Sequence, residues 1–212
     1  TLLPMSPWPL LLLFVLVDVL GFSLVLPLFP YFTKELGMSP TMVGLLQASN
    51  ALAQLFAVPV IGALSDKFGR RPLLLVCVAG TFTSFVLLAR ADTIWMLFLS
   101  RILDGLLGGN ISLAQSYIAD ITSPEQRERG MGLIGAMFGL GFTVGPAIGG
   151  TLSRYGMSVP SYLAAVLCVI NFFGVLFFLP ESLPPEKREK SGQRSVLPSF
   201  GGLYKCLQDK TL

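Results

Sequence analysis

Gly62-Ala63-Leu64-Ser65-Asp66-Lys67-Phe68-Gly69-Arg70-Arg71 lies between two apolar segments, 42–64 and 72–89. Each segment is close to the ~20 residues that a helix needs to cross a bilayer. Charged side chains are expensive in hydrocarbon, and irregular backbone is excluded from lipid. The stretch therefore reads as a short charged loop at one membrane face, joining two antiparallel spans.

Outward from this loop the same pattern repeats. The chain has 212 residues, 53% hydrophobic and 13% charged, whereas soluble domains carry about 25% charged residues. Six apolar segments stand out, at 8–30, 42–64, 72–89, 94–119, 131–155 and 159–179. All read as helices, and short connections rich in glycine, proline and charge separate them. The expected fold is all-α: a six-transmembrane-helix bundle over residues 1–180. Residues 181–212 turn polar, proline-rich and mixed in charge, which reads as a linker, with 197–212 a short amphipathic element on the membrane. The first segment lacks the basic start and small-residue cleavage site of a signal peptide, so it is expected to be retained. Lys and Arg number nine in the second and fourth loops and in residues 187–194 after the sixth span, against three in the alternate loops. Basic residues stay on the cytoplasmic side, so both ends are expected there.

Composition also excludes function classes. A net charge of +3 comes with no basic run interleaved with aromatics, so nucleic acid is not an expected partner. The chain has no histidine, and Cys77, Cys168 and Cys206 form no metal-ligand spacing. No metal, cofactor or enzymatic activity is expected, and no nucleotide-binding GxxxxGK[ST] occurs. The run Gly139-Leu-Gly141-Phe-Thr-Val-Gly145 has the wrong spacing for a dinucleotide loop. Asn110-Ile-Ser112 matches a glycosylation sequon inside a span, where it should be inaccessible.

Ionisable residues inside spans are the default functional candidates. Asp18 sits near the middle of the first span, where a lone carboxylate suits proton or cation binding; capping a kink or bonding a neighbouring helix is the alternative. Arg101 and Asp104, three apart on one helical face, pair with each other or take part in coupling. Their face continues through Gly105, Gly108 and Ser112 to Gln115, while Asn50 and Gln54 are neighbours in the second span. Such polar stripes fit helices bordering a watery cavity or amides that join helices. In the fifth span Gly141, Gly145 and Gly149 make a smooth face for close approach of another helix, with Pro146 and Gly150 beside them.

Together these residues resemble the major facilitator superfamily, and within it the drug:proton antiporter branch that includes tetracycline-efflux-like proteins. Gly62-x-Leu64-x-Asp66-x-x-Gly69-Arg70-Arg71 resembles the signature loop between helices two and three. Arg101-x-x-Asp104-Gly105-x-x-Gly108 is similar to an Arg-x-x-Gln-Gly motif, with Asp in the Gln position. Gly141-x-x-x-Gly145-Pro146-x-x-Gly149-Gly150 resembles the fifth-helix motif of antiporters. Asp18 with Gly21 and Pro27-Leu-Phe-Pro30, and Leu179-Pro180-Glu181-Ser182-Leu183, resemble the first helix and the end of the sixth. The resemblance implies the amino-terminal half of a twelve-helix fold, working by alternating access on small organic substrates and protons. It implies that Gly62, Asp66, Gly69, Arg70 and Arg71 form a conformational lock, with Asp66 accepting from a following helix N-terminus or the other half and Arg70 pairing with Asp120. The expected partners are a carboxy-terminal six-helix half, or a second copy meeting the glycine face. A uniporter or symporter on the same fold, or a membrane scaffold or receptor, is the rival reading.

Overall fold

The computed structural model describes residues 7–29, 31, 35–156, 158–184 and 188. The expected element at 197–212, Pro30, Cys206 and most of the linker lie outside them. The described chain forms seven long helices: α1 (Pro7–Val25), α2 (Pro40–Phe68), α3 (Arg70–Ala89), α4 (Ile94–Leu107), α5 (Asn110–Ile121), α6 (Pro124–Leu152) and α7 (Ser158–Phe178). α4 and α5 together make the fourth span, so six stretches are long and apolar enough to cross a membrane.

Local chemistry sets the helix ends. Ser39, Thr93 and Ser123 each cap a helix by accepting a backbone N–H, from Met42, Met96 and Gln126 respectively. Pro40 and Pro124 follow two of these caps, where a missing N–H costs nothing. The charged signature stretch differs from its reading as a loop. α2 continues through Asp66 to Phe68 and α3 begins at Arg70, so the turn is Gly69 alone, at φ 107°. Helical backbone hides its own polar groups, and only one residue is needed to reverse the chain. The fourth span, expected to be continuous, breaks at Gly108–Gly109. Two successive glycines cost about 1 kcal/mol each in a helix, which makes this the weakest point of the span.

Contacts arrange the helices as an arc in the order α2, α4, α3, α7, α1, α6. The inner face holds a continuous apolar core that includes Leu11, Val15, Leu74, Phe85, Leu97, Leu113 and Ala164. The outer face carries exposed Leu13, Leu55, Phe56, Val76, Leu99, Val166 and Phe177, far more apolar surface than a water-facing domain tolerates. Trp95 and Tyr155, 84% and 80% exposed, stand at one end of the bundle, where aromatic rings mark a membrane interface. Gly69, with Arg70 and Arg71, lies at the other.

The row Gly141, Gly145 and Gly149 packs inside the bundle. A Cβ on these residues would strike Val19, Ser23 and Leu24 of α1, and the Ser23 hydroxyl lies 2.9 Å from Gly141 O. The expectation that this face awaits a second copy or another half is thus corrected: α1 already fills it. Gly150 has open space around it, and Pro146 is half-buried inside α6.

Candidate functional site

The arc borders a hollow of about 370 Å³ within the apolar bundle. α1 contributes Asp18, Val19 and Phe22; α2 contributes Asn50, Gln54 and Val58; α6 contributes Phe138 and Phe142. Asp104 comes from the end of α4, Gly108 from the break after it, Asn110, Ser112 and Gln115 from α5, and Thr81 and Phe85 of α3 form the back. The hollow therefore has a polar wall on α2, α4 and α5. Facing it is an aromatic wall, where Phe142 meets Phe22 edge-on and stacks with Phe138.

Asp18 is half-buried on this surface and accepts from Asn110 Nδ2 at 2.7 Å. The same amide reaches Thr81 Oγ1 at 3.2 Å. Asp104 accepts from Asn50 Nδ2 at 3.0 Å, and Asn50 also donates to Arg101 O at 2.9 Å, tying α2 to α4. The helices come this close because Gly105 has no side chain: a Cβ there would meet Asn50 O and Ala53. Gln54 Nε2 lies 3.4 Å from Gly108 O, a carbonyl that the break leaves without a helical partner.

Arg101 differs from its expected place on the wall. It is fully buried behind Asp104, 3.6 Å from that carboxylate and 3.3 Å from Ser84 Oγ, with Phe85 below its guanidinium. It does not line the hollow. Burial without a carboxylate would be prohibitive for a guanidinium, so Asp104 serves Arg101 on one side and the hollow on the other. Asp18, Asp104, Asn50, Gln54 and Gln115 do come together around one space, as their stripes suggest.

A second cluster gathers at the Gly69 end. Arg70 bonds Asp66 at 2.6 Å and Asp120 at 3.0 Å, and also donates to the Ser65 hydroxyl. The pair Arg70–Asp120 joins α3 to the end of α5. Gly62 lies inside α2 with open space around it rather than in the turn. The N-terminus of α3 is held by Glu181, which accepts from the N–H of Arg70 at 2.9 Å and of Arg71 at 3.2 Å. Asp66, expected as an acceptor for a helix end, instead pairs with Arg70. The Arg71 guanidinium bonds the carbonyls of Val175 and Leu176 at the end of α7.

The sequence places Glu181 and Ser182 only in a stretch resembling the end of the sixth helix, with no contact assigned to them, and it gives no sign of Tyr117. Tyr117 OH donates to Pro180 O at 2.7 Å, and Ser182 Oγ donates to Asp120 Oδ2 at 3.2 Å. The first residues of the linker-like segment thus hold onto the bundle. One signal was available: α3 starts Arg70-Arg71-Pro72 with no acid in its first turn, so its positive end needs an anion from elsewhere.

With this geometry in place, comparison identifies the family. The profile of the Major Facilitator Superfamily matches residues 11–209. The chain belongs to that superfamily. It is 38% identical over 174 residues to the tetracycline resistance protein, class B, of Escherichia coli, covering 81% of this chain and 43% of that protein. It is 36% identical over 205 residues to major facilitator superfamily domain-containing protein 10 of Bos taurus, covering 83% and 44%. The crystal structure of the human organic anion transporter MFSD10 (TETRAN) superposes with a TM-score of 0.76 at 30% identity, covering 91% of this chain and 50% of that one. The chain spans about half the length of the curated relatives it matches, and its six spans form the half-fold of the superfamily, fitting the amino-terminal half. It is an integral, multi-pass membrane protein, and the proteins it matches are transporters rather than enzymes.

Proposed function

We propose that these residues form the amino-terminal half of a secondary active transporter that exchanges an amphipathic organic compound for protons by alternating access. The observation that carries this reading is Asp18, a carboxylate at the wall of a hollow inside a membrane bundle, held by a single side-chain amide. Such a group is costly unless it works, and the hollow gives it a route to water. Similarity to tetracycline resistance proteins supports export. The aromatic wall suits an amphipathic ring system. The lining carries two carboxylates and no basic side chain among the described residues, which suits a basic compound better than an acidic one. Arg70, Asp66, Asp120 and Glu181 act as the lock at the cytoplasmic face: while they hold, that side stays closed, and protonation or binding at the hollow biases its release.

Reconstitution in vesicles together with a carboxy-terminal six-helix half tests the reading. With Asp18→Asn, substrate flux driven by a pH gradient is expected to fall at least tenfold, while exchange at equal pH falls less. Undiminished proton-driven flux would remove Asp18 from coupling. A second reading, transport of an organic anion, is favoured by the structural similarity to the human organic anion transporter. Competition between matched acidic and basic aromatic compounds separates the two.

A further inference from the structure

Asn110 enters the sequence reading only as an unusable glycosylation sequon. In the structure it opens α5 directly after the Gly108–Gly109 break and is 2% exposed. Its Nδ2 donates to Asp18 and Thr81, whereas its Oδ1 is buried without a hydrogen-bond partner. Native buried amides rarely leave an end unpaired, and each such case calls for an explanation.

We infer that Asn110 senses whether Asp18 carries a proton and transmits that state to the break in the fourth span. The inference rests on the proposal that Asp18 is the coupling carboxylate. An ionised carboxylate offers only acceptor oxygens, so the amide must present N–H to it. When a proton from water in the hollow adds to Asp18, a new O–H forms and the group becomes a donor toward Asn110. The carboxamide then turns about its last bond so that Oδ1 accepts from that O–H. The Thr81 hydroxyl follows, because it can donate as readily as accept. One end of the amide is unpaired in either orientation, which leaves the choice to Asp18. Departure of the proton back to water reverses the turn, and Asn110 neither gains nor loses a proton.

The location gives this turn its consequence. Asn110 is the first helical residue beyond two glycines that carry no helix, and the Gly108 carbonyl has only the long contact from Gln54. Beside Gly109 there is no spare room, since a Cβ there would run into Ile61 of α2. The change of pairing at Asn110 is felt first by Asp18 of α1 and Thr81 of α3, and any backbone adjustment that follows meets α2 through the adjoining Gly109. The titratable groups facing Asp18 are Asp104 across the hollow, Cys77 of α3 and Cys168 of α7. α6 presents Phe138 and Phe142 there, α2 presents Asn50 and Gln54, and Arg101 is engaged by Asp104.

Isotope-edited infrared difference spectra of the protein in lipid bilayers, recorded between low and high pH, provide the test. The chain contains Asn50, Asn110 and Asn171, so asparagine labelled at its carboxamide carbon reports few groups. The expected result is an amide carbonyl band pair that titrates together with the Asp18 carboxyl band. It should be lost in both Asp18→Asn and Asn110→Leu, the latter close in volume. A pair that persists in Asn110→Leu overturns the inference, as does an Asp18 band that titrates with no asparagine band. The wild-type and Asp18→Asn spectra decide the matter even if Asn110→Leu does not fold. Proton-driven flux without the asparagine band sinks the inference and leaves the transport proposal standing. A coupled asparagine band in a protein that shows no proton-driven flux even when joined by a carboxy-terminal six-helix half sustains the contact and removes the transport proposal.

Discussion

Gly69 carries the whole reversal between α2 and α3. At φ 107° an L side chain is strained, and a Cβ would also press on the Glu181 carboxylate. Left-handed backbone at a non-glycine residue costs about 1–3 kcal/mol, so Gly69→Ala is expected to lower the melting temperature in detergent, followed by fluorescence-detected size exclusion. Glu181 is the second residue whose effect can be isolated. It compensates the positive end of α3 by accepting two of its backbone N–H groups. Charges so placed contribute about 0.3–1 kcal/mol at exposed sites and up to ~2 when partly buried. Glu181→Gln keeps the shape and loses the charge, so it should destabilise by an amount in this range and less than Gly69→Ala does. An unchanged melting temperature for both variants would show that the turn at Gly69 is not under load.

At the scale of elements, α6 offers an internal control. Gly145 faces Ser23 of α1 with no room for a Cβ, whereas Gly135, on the same helix, has nothing within 4 Å. Overpacking a tight contact costs about 1–3 kcal/mol, and glycine within a helix is worse than alanine by about 1 kcal/mol. Gly145→Val is therefore expected to lower thermal stability and Gly135→Ala to raise it slightly; equal effects would contradict the packing of α1 on α6. Six spans, their order and the polar stripes were legible in the sequence, because hydrocarbon demands about twenty apolar residues per crossing and leaves polar residues conspicuous. What sequence could not supply was which partner each stripe meets. Gly141, Gly145 and Gly149 announce close packing with some helix, and only the fold shows it to be α1. Arg101 announces a buried charge, and only the fold places it behind Asp104 rather than on the wall. The break at Gly108–Gly109 was written in two adjacent glycines, but a membrane span tolerates such pairs when neighbours satisfy the freed carbonyls, so the letters alone do not decide it.

On the scale of the molecule, burial is unequal. The apolar windows of α2 and α6 are 17% buried, against 33–50% for the other four spans. These helices form the two ends of the arc and flank the hollow, so the wall of the site is complete on one side only. A hollow open along its length would let substrate and protons pass without coupling, and alternating access needs a second rigid body to rock against the first. Together with the half-length match to its relatives, this leads to a prediction for the chain alone. The 212 residues reconstituted by themselves should insert and fold but show no proton-driven flux, and supplying a six-helix carboxy-terminal half should restore it. Cysteines introduced at Val58 of α2, on the hollow, and Gly139 of α6 should cross-link to that half, whereas one at Val76 of α3, on the lipid face, should not. Full proton-driven flux from the 212 residues as a monomer would show that the exposed faces of α2 and α6 need no second bundle, and the half-site view of the hollow would fall with it.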